Sequence, residues 1–464
     1  MELTLRERIR RSHRHSGRRI AVLDDDPTGS QTVHDVALVF DLDPAEYAAG
    51  LAEPGATCFV LTNSRSLPAD EAYRLSHRAG RDLLAVGERL GAPVSVVSRS
   101  DSTLRGHLMP EVRALDAARV EVLGRGFDGV LLVPAYLEAG RFTAENTHWA
   151  RVDGVPVPVG QTEFARDAVF GYRSSDLVDF VVERGAGTID RRDVQALTLD
   201  DIRLGGPGRV AELLAAVDGG RFVVVNATSY EDLEIVVLGL LAAEADGQAF
   251  LHRTGPSFVR ALAGIEPQDP LSAQQIWPAG RPPGHGLVVV GSHVELTTRQ
   301  VAAARRRGGL VEVELDAVAL VDPSRRDAAV AAAIRDATAA LARSDVLLVT
   351  SRTVLTDSSG GLALARTVSS AVADVVRGVV PAGPRWIVAK GGITSHDVAV
   401  SGIGIRRGVV LGQLLPGLIS VVRPLSCLPE VHGVPYIVFA GNVGGEEALA
   451  DVIDVLHATG RRGP

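Results

Sequence analysis

Three consecutive aspartates follow the first apolar run of the chain. Residues 20–23 form a short β-branched stretch, and Asp24, Asp25 and Asp26 come directly after it, before a Pro-Thr-Gly turn that contains Thr28. In open parallel sheets, ligands bind at the carboxyl ends of the strands. A carboxylate at this place could accept the proton of a hydroxyl group or help to hold magnesium. The alternative is a turn with a helix cap, which explains one aspartate better than three.

Polar side chains also follow the next two strands that the sequence predicts, residues 58–61 and 94–97. They are Asn63, Arg65, Arg99, Asp101, Ser102 and Arg105. Arginines around a carboxylate and short hydroxyl groups suit a polyhydroxy carboxylate ligand, because a guanidinium fork matches a carboxyl group. The alternative is a helix cap with surface salt bridges, for which Asp101 or Ser102 would suffice. A polar loop downstream could close one side of this pocket with Arg141, Thr143, Asn146 and His148.

In the C-terminal half, three predicted strands each end in glycine and small polar residues. The residues of interest there are Ser292, Lys390, Gly391, Gly392, Ile393, Thr394, Gly441, Asn442 and Gly444. Such strand ends present backbone N–H groups and helix N-termini, which bind phosphate. The alternative is the ordinary glycine of α/β turns. Lys390 is the single lysine among 48 lysine and arginine residues, which indicates either a need for a compact ammonium or chance survival.

The sequence lacks several well-known site motifs. It contains no Gly-x-x-x-x-Gly-Lys-Ser/Thr segment of a P-loop, no His-Glu-x-x-His zinc pair and no Gly-x-Ser-x-Gly nucleophile elbow. Residues 402–408 are one residue too long for a dinucleotide fingerprint and follow no predicted strand. The formal net charge of -8 argues against a nucleic-acid partner. Cys58 and Cys427 are the two cysteines, so we expect neither a disulfide framework nor a cysteine-based metal site.

These residues need a scaffold that brings strand ends together. Short continuous apolar runs recur along the chain and alternate with helical patterns, which is typical of parallel sheets covered on both faces. We therefore predict an α/β fold of two layered domains with largely parallel sheets and an active site in the cleft between them. We place the domains at residues 1–265 and 286–464, with a Pro/Gly-rich linker at 266–285. A signal-peptide core and an apolar stretch of roughly 18 residues are both lacking, so we expect a cytoplasmic protein without a membrane partner.

Four segments in this order carry a resemblance to a known family. They are the Asp-Asp-x-x-Thr-Gly turn, the Asp-Ser-Thr-Leu-Arg-Gly stretch, Gly-Gly-Ile-Thr-Ser and the final Gly-Asn-Val-Gly. Over nearly its whole length the chain resembles the four-carbon acid sugar kinase family. The resemblance implies an N-terminal sugar-acid-binding domain and a C-terminal nucleotide-binding domain. It also implies ATP-dependent phosphorylation of threonate, erythronate or 3-oxo-tetronate.

The motifs also imply where the substrates bind. We expect Asp24, Thr28, Asn63, Arg65, Arg99, Ser102 and Arg105 to contact the sugar acid, beside Asp25 and Asp101. We expect Ser292, Lys390, Gly391, Gly392, Ile393, Thr394, Gly441, Asn442 and Gly444 to contact ATP. Our hypothesis assigns deprotonation of the attacking hydroxyl to Asp25, with Asp101 as the competing candidate. Arg99 and Arg105 would hold the substrate carboxylate, while Lys390 and the glycine turns hold ATP phosphates neutralised by Mg²⁺.

Two other functions remain open at this point. A nicotinamide-dependent oxidoreductase of a small hydroxy acid would share layered α/β domains, but the dinucleotide fingerprint is lacking. A non-catalytic sensor of sugar acids would explain the arginines, although it leaves the glycine turns around Lys390 unexplained. The metal ligands, the particular sugar acid and the presence of a homo-oligomer are left open by the sequence.

Overall fold

The computed structural model describes residues 3–26, 29–291, 294–351, 361–415, 418–441 and 443–458. The chain divides into two compact units, Met1–Pro267 and Gln268–Pro464. Each unit has its own hydrophobic core, and each combines a mostly parallel sheet with helices. The predicted fold class is therefore confirmed.

The first unit is built on a parallel sheet. The strands of this unit are β1 (Arg19–Asp24), β2 (Val36–Val39), β3 (Thr57–Leu61), β4 (Val94–Arg99), β5 (Gly129–Val133), β6 (Arg141–Ala144), β7 (Thr147–Val152), β8 (Val155–Pro158), β9 (Gln195–Leu197), β10 (Arg221–Val225) and β11 (Phe250–Thr254). The parallel sheet has the order β2-β3-β1-β4-β11-β5-β10-β9, whereas β6, β7 and β8 form a separate antiparallel sheet. Strands β1, β3 and β5 are buried along their whole length, which explains their continuous apolar sequences.

Helices cover the first sheet. They are α1 (Leu5–Ser16), α2 (Pro44–Gly50), α3 (Ala69–Leu90), α4 (Leu108–Leu123), α5 (Leu177–Gly185), α6 (Leu199–Arg203), α7 (Gly206–Ala215), α8 (Tyr230–Ala245) and α9 (Pro256–Ala263). Helix α3 shows why the sequence forms them: Asp70 and Glu71 lie in its first turn, where the helix dipole favours acidic residues. It ends at Gly91, whose φ of 60° suits glycine. The absence of a side chain at Gly80 lets α3 approach Leu115 of α4 closely.

The second unit has a mixed sheet. Its strands are β12 (Leu287–Val290), β13 (Leu310–Leu315), β14 (Asp345–Thr350), β15 (Ile387–Lys390), β16 (Arg407–Gln413), β17 (Ser420–Ser426) and β18 (Tyr436–Phe439). Strands β13, β14, β12, β15 and β18 are neighbours in this order and run parallel, and β17 and β16 continue antiparallel. Its helices are α10 (Ala273–Ile276), α11 (Glu295–Arg307), α12 (Ala317–Val321), α13 (Arg326–Leu341), α14 (Gly361–Val379), α15 (Gly392–Asp397) and α16 (Ala448–His457). Within the described ranges, no helix has both the length and the apolar character needed to cross a membrane.

The segment interpreted as a linker, residues 266–285, contains packed structure. Helix α10 lies within it, and Leu271, Ile276 and Trp277 are buried in the hydrophobic core of the second unit. The backbone N–H of Leu271 also donates to the carbonyl of Gln413 at 2.7 Å. The compact second unit accordingly starts at Gln268, within the predicted linker.

Candidate active site

The carboxyl ends of four adjacent strands, β3, β1, β4 and β11, bring most of the predicted sugar-acid residues together. The parallel register sets Asp24 beside Leu61 on one side and beside Arg99 on the other, and Arg99 beside Thr254. Because all four strands point the same way, the loops that follow them meet at one edge of the sheet. Thr28 lies outside the described residues.

Asp24 and Arg99 form a buried ion pair at the centre of this edge. An Arg99 Nη donates to Asp24 Oδ1 at 2.9 Å, and both side chains are buried. Burial raises the pKa of Asp24 to about 7, and the Arg99 charge opposes that rise. Gly29 packs against the other carboxylate oxygen so closely that a Cβ there would lie 1.7 Å from Asp24 Oδ2. Arg99 therefore already has a protein carboxylate as its partner, while its Nε has no hydrogen-bond partner among the described residues.

Asp25 lies beside this pair, and one of its carboxylate oxygens has no hydrogen-bond partner among the described residues. Its Oδ2 is 3.0 Å from the Ser100 hydroxyl, which also lies 2.7 Å from an Nη of Arg253. Since the guanidinium can only donate, the Ser100 hydroxyl proton is free to point at Asp25. Asp25 Oδ1 is buried and receives no hydrogen bond from the described residues, and its distance to Arg99 Nη1 is 3.8 Å.

Asp101 has more hydrogen-bonding and ionic partners than Asp25. Arg105 Nε donates to its Oδ2 at 2.7 Å, the Thr103 hydroxyl donates to the same oxygen, and Arg65 Nη1 lies 3.8 Å from Oδ1. Burial favours a higher pKa, but the Arg65 and Arg105 charges outweigh it and lower the pKa of Asp101 to about 2. A carboxylate with so low a pKa is a weak base, so Asp101 is the poorer candidate for proton removal.

The other predicted sugar-acid residues surround these carboxylates. Asn63 adopts a left-handed backbone, with a φ of 49°, and starts a 3-10 turn, Ser64–Ser66, that carries Arg65. Arg65 also pairs with Asp26. The Ser102 hydroxyl accepts a hydrogen bond from Arg141 at 2.8 Å.

The polar loop considered in the sequence lies against the same segment. His148 Nε2 is 2.8 Å from the carbonyl oxygen of Ser102, and its Nδ1 is 2.9 Å from the Thr143 hydroxyl. Asn146 instead bonds to Asn226 through its backbone N–H and side chain. Strands β6 and β7 therefore support Ser102 and bring Arg141 to the site.

Sequence reasoning missed the layer beneath Asp25. Arg253 is buried, donates to the hydroxyls of Ser98 and Ser100 at 2.7 Å each, and pairs with Glu111. A signal was present in the sequence: residues 250–254 are a strand whose polar end faces the same edge as Arg99. Because that strand was not predicted, Arg253 and its partner in the first turn of α4 were not considered.

In the second unit, the predicted nucleotide residues follow three adjacent strands. The register aligns Val290 of β12 with Lys390 of β15, and Lys390 with Phe439 of β18. Gly391 has a φ of 117°, which favours glycine, and its N–H donates to the Phe439 carbonyl at 2.8 Å. Gly291 packs against Thr394, where a Cβ would lie 2.3 Å from the threonine hydroxyl oxygen. Ser292 and Asn442 lie outside the described residues.

The glycine turn after β18 is braced from within its own unit. Gln300 of α11 donates to the carbonyls of Val443 and Gly445, at 2.9 Å each. Gly444 has a φ of 80°, and Ile393 is half exposed beside buried Thr394. In these turns the N–H groups of Gly291 and Gly391 donate to backbone carbonyls at the ends of neighbouring strands.

Lys390 is fully buried under that turn. Its ammonium group donates to the carbonyls of Ala440 at 3.1 Å and Gly441 at 3.5 Å, and it lies 3.7 Å from the centre of the Phe439 ring. Burial lowers the pKa of Lys390 to about 7. In this arrangement Lys390 holds the glycine turn through its carbonyls.

The side chains that could act as metal ligands limit how Mg²⁺ could be held. In the described part of the chain, no group of three or more His, Cys, Asp or Glu side chains is placed to hold a metal ion. Mg²⁺ in phosphoryl-transfer sites is commonly held by substrate phosphates, water and one or two carboxylates. Because such an ion can be held largely by phosphates and water, the described residues are compatible with Mg²⁺ that arrives bound to a nucleotide.

Comparison with known proteins identifies both units. A sugar-binding N-terminal domain family matches residues 20–262, and a nucleotide-binding C-terminal domain family matches residues 287–449. A 3-oxo-tetronate kinase of Methylobacterium radiotolerans is 27% identical over 88% of this chain and 91% of its own length. A D-erythronate kinase of Heliobacterium modesticaldum is 30% identical over 57% of this chain. The match covers about half of that relative, 54% of its length.

Two solved structures share the fold. A Salmonella typhimurium LT2 protein aligns with a TM-score of 0.70 and 19% identity over 94% of this chain and 98% of its own. A Haemophilus influenzae protein aligns with a TM-score of 0.62 and 16% identity over 94% and 100%. Both domain families together cover most of the sequence, in the order that the motifs predict. The chain belongs to the four-carbon acid sugar kinase family.

Proposed function

We propose that this protein is an ATP-dependent kinase that phosphorylates a hydroxyl group of a small sugar acid of about four carbons. Threonate, erythronate and 3-oxo-tetronate are the candidate substrates, since relatives carry the names of kinases for these acids. The observation that carries the proposal is Asp25 Oδ1, which is buried, has no hydrogen-bond partner among the described residues and lies 3.8 Å from Arg99 Nη1, in a domain that matches a sugar-binding family. The second unit, which matches a nucleotide-binding family, would supply the ATP site.

Asp25 is the general base in this mechanism. The acceptor hydroxyl donates its hydrogen bond to Asp25 Oδ1, and its oxygen attacks the γ-phosphorus of ATP. As the new O–P bond forms, the bond between the γ-phosphorus and the bridging oxygen of ADP breaks, and the hydroxyl proton moves to Asp25. The Ser100 hydrogen bond orients the carboxylate, and the proton leaves to solvent after product release.

The glycine turns of the second unit hold the triphosphate in this proposal. Backbone N–H groups after β12, β15 and β18 would face the phosphates, and Lys390 keeps the last turn in place from below. Mg²⁺ bound with ATP would neutralise phosphate charge. Exclusion of water from the reacting groups would prevent wasteful hydrolysis of ATP.

A coupled assay of ADP release tests the substrate class. The panel contains D- and L-threonate, D- and L-erythronate, 3-oxo-tetronates and branched short acids. We expect turnover with at least one four-carbon acid and ATP. Folded protein that releases no ADP with any of these acids would refute the assigned class.

The role of Asp25 is tested with Asp25→Asn. Loss of the base should lower kcat about 100-fold or more, because general base catalysis typically contributes at least that factor. Asp70→Asn, which changes an exposed carboxylate in the first turn of α3, is the control and should leave kcat unchanged. A kcat for Asp25→Asn within about tenfold of the wild type would assign the proton to another group.

A further inference from the structure

Arg141 differs from the other arginines of the site in its partners. It begins β6 and reaches the site, where Nη1 donates to the buried Ser102 hydroxyl at 2.8 Å. Its guanidinium group lies 5.7 Å from the centre of the Tyr136 ring and 5.5 Å from that of Phe164. Burial lowers the pKa of Arg141, so this charge is partly removed from water.

Each neighbouring guanidinium is matched by a protein carboxylate. The pairs are Arg65 with Asp26 and Asp101, Arg99 with Asp24, Arg105 with Asp101 and Asp167, and Arg253 with Glu111. Arg141 forms no ion pair with any carboxylate in the described ranges. Asp101 attracts the Arg141 charge without a direct ion pair. A partly buried charge without a direct ion pair is unfavourable, and contacts with aromatic rings offset only part of that cost.

We propose that Arg141 is the anchor for the carboxylate of the sugar acid. This assignment rests on the proposed function and replaces the expectation that Arg99 and Arg105 hold that carboxylate. Arg99 is buried against Asp24, and Arg105 already donates to Asp101. An incoming carboxylate supplies the direct ion-pair partner that Arg141 lacks.

The surroundings of Arg141 also fix its orientation. The Ser102 hydroxyl occupies Nη1, and the Phe164 ring is close to both Arg141 and Arg105, whose guanidinium group is 5.1 Å from the ring centre. His148 holds the backbone of Ser102 from below. The donors that remain on the guanidinium can make the paired hydrogen bonds that carboxylates accept, so a planar fork suits this position better than an ammonium.

Binding without ATP tests the anchor separately from catalysis. The ligands are the tetronate that the wild type turns over and its amide, a neutral compound of nearly the same shape. Titration calorimetry with the full-length protein should show that Arg141→Gln weakens tetronate binding about 100-fold, because a charged hydrogen-bonding partner is lost. The Kd of the amide should change less than about threefold, because the amide presents no charge to Arg141.

Arg151→Gln is the matched control. Arg151 lies on β7 of the same small sheet, is exposed, and donates to the carbonyl of Gly154, so its loss should leave both Kd values unchanged. If Arg141→Gln retained the wild-type preference for tetronate over its amide, Arg141 would not be the anchor for the carboxylate. The kinase proposal would remain intact. A wild type that turns over no four-carbon acid would instead refute the kinase proposal.

Arg141→Lys covers the case in which Arg141→Gln lowers the melting temperature. The lysine retains the positive charge but lacks the planar fork. We expect about tenfold weaker tetronate binding with amide binding unchanged. Equal weakening for both ligands would show a structural role, and unchanged binding of both would show that Arg141 does not contact the carboxylate.

Discussion

Asp24, Asp25 and Asp101 have the same side chain, but their partners differ. Asp24 is buried against Arg99, with Gly29 packed on its second oxygen, while two arginines keep Asp101 ionised. Asp25 accepts from Ser100 and retains an oxygen with no bond from the described residues. Sequence reasoning could choose Asp25 only by motif, because the number and charge of hydrogen-bonding partners depend on residues distant in the chain.

Lys390 allows a prediction about pH. Its folded-state pKa of about 7 lies below the value of about 10.4 for an unfolded chain, so the unfolded state binds more protons between these values. The buried charge therefore destabilises the fold fully below pH 7, and the penalty is relieved as pH rises, by at most about 1.4 kcal/mol per pH unit. The melting temperature of the wild type should rise relative to that of Lys390→Met between pH 7 and pH 9. Parallel curves for the two proteins would contradict the buried charge.

Lys390→Met also tests the role of Lys390 in catalysis and ATP binding. Without the ammonium group, the turn after β18 loses its support at Ala440 and Gly441. We expect a higher KM for ATP or a lower kcat, with sugar-acid binding intact. Wild-type kinetics would mean that this lysine survives by chance.

At the scale of elements, the turn after β1 depends on one glycine. The N–H of Gly29 donates to the Asp26 carbonyl at 3.2 Å, and the Cα of Gly29 packs against the Asp24 carboxylate. A methyl group at Gly29 would overlap the carboxylate, so either the turn or Asp24 must move. The position of Asp24 at the end of β1 thus depends on the close approach of the Gly29 backbone as well as on the direction of the strand.

Gly29→Ala should disturb the Asp24–Arg99 pair and with it Asp25. We expect kcat/KM for the sugar acid to fall more than tenfold and stability to fall by about 1–3 kcal/mol, as for other overpacked sites. Gly208→Ala in α7 is the control, since nothing lies within 4 Å of the added methyl group. Steady-state kinetics and melting curves would measure both variants. Wild-type kinetics for Gly29→Ala would show that the turn tolerates a side chain.

At the scale of the molecule, the two units have separate cores. The second core includes Leu271, Ile276 and Trp277, all within the segment that the sequence predicts as a linker. Pro and Gly residues predicted irregular chain in this segment, but they did not reveal that three apolar side chains between them are buried. Burial of such residues depends on partners such as Trp386, more than a hundred positions away.

Two fragments test this boundary. Residues 268–464 contain the complete second core, so this fragment should melt cooperatively and bind ADP. Residues 286–464 lack three buried side chains, each of which contributes roughly 2 kcal/mol or more, so this fragment should melt at a clearly lower temperature. Equal melting temperatures would show that residues 268–285 do not stabilise the second unit.

The sequence by itself determined the fold class and the strand ends that carry polar residues, which depend on local patterns: apolar runs, helix signals, and turns of glycine and aspartate. The order of sugar-binding and nucleotide-binding domains came from the family resemblance that its motifs carry. Only the tertiary structure decided which arginines of the site form ion pairs with protein carboxylates. It also showed that Arg253 and Glu111 lie beneath Asp25 and that Lys390 is buried under a turn. The physical reason is that charge pairing and burial arise between side chains that the parallel strands bring together from distant positions, which no local pattern records.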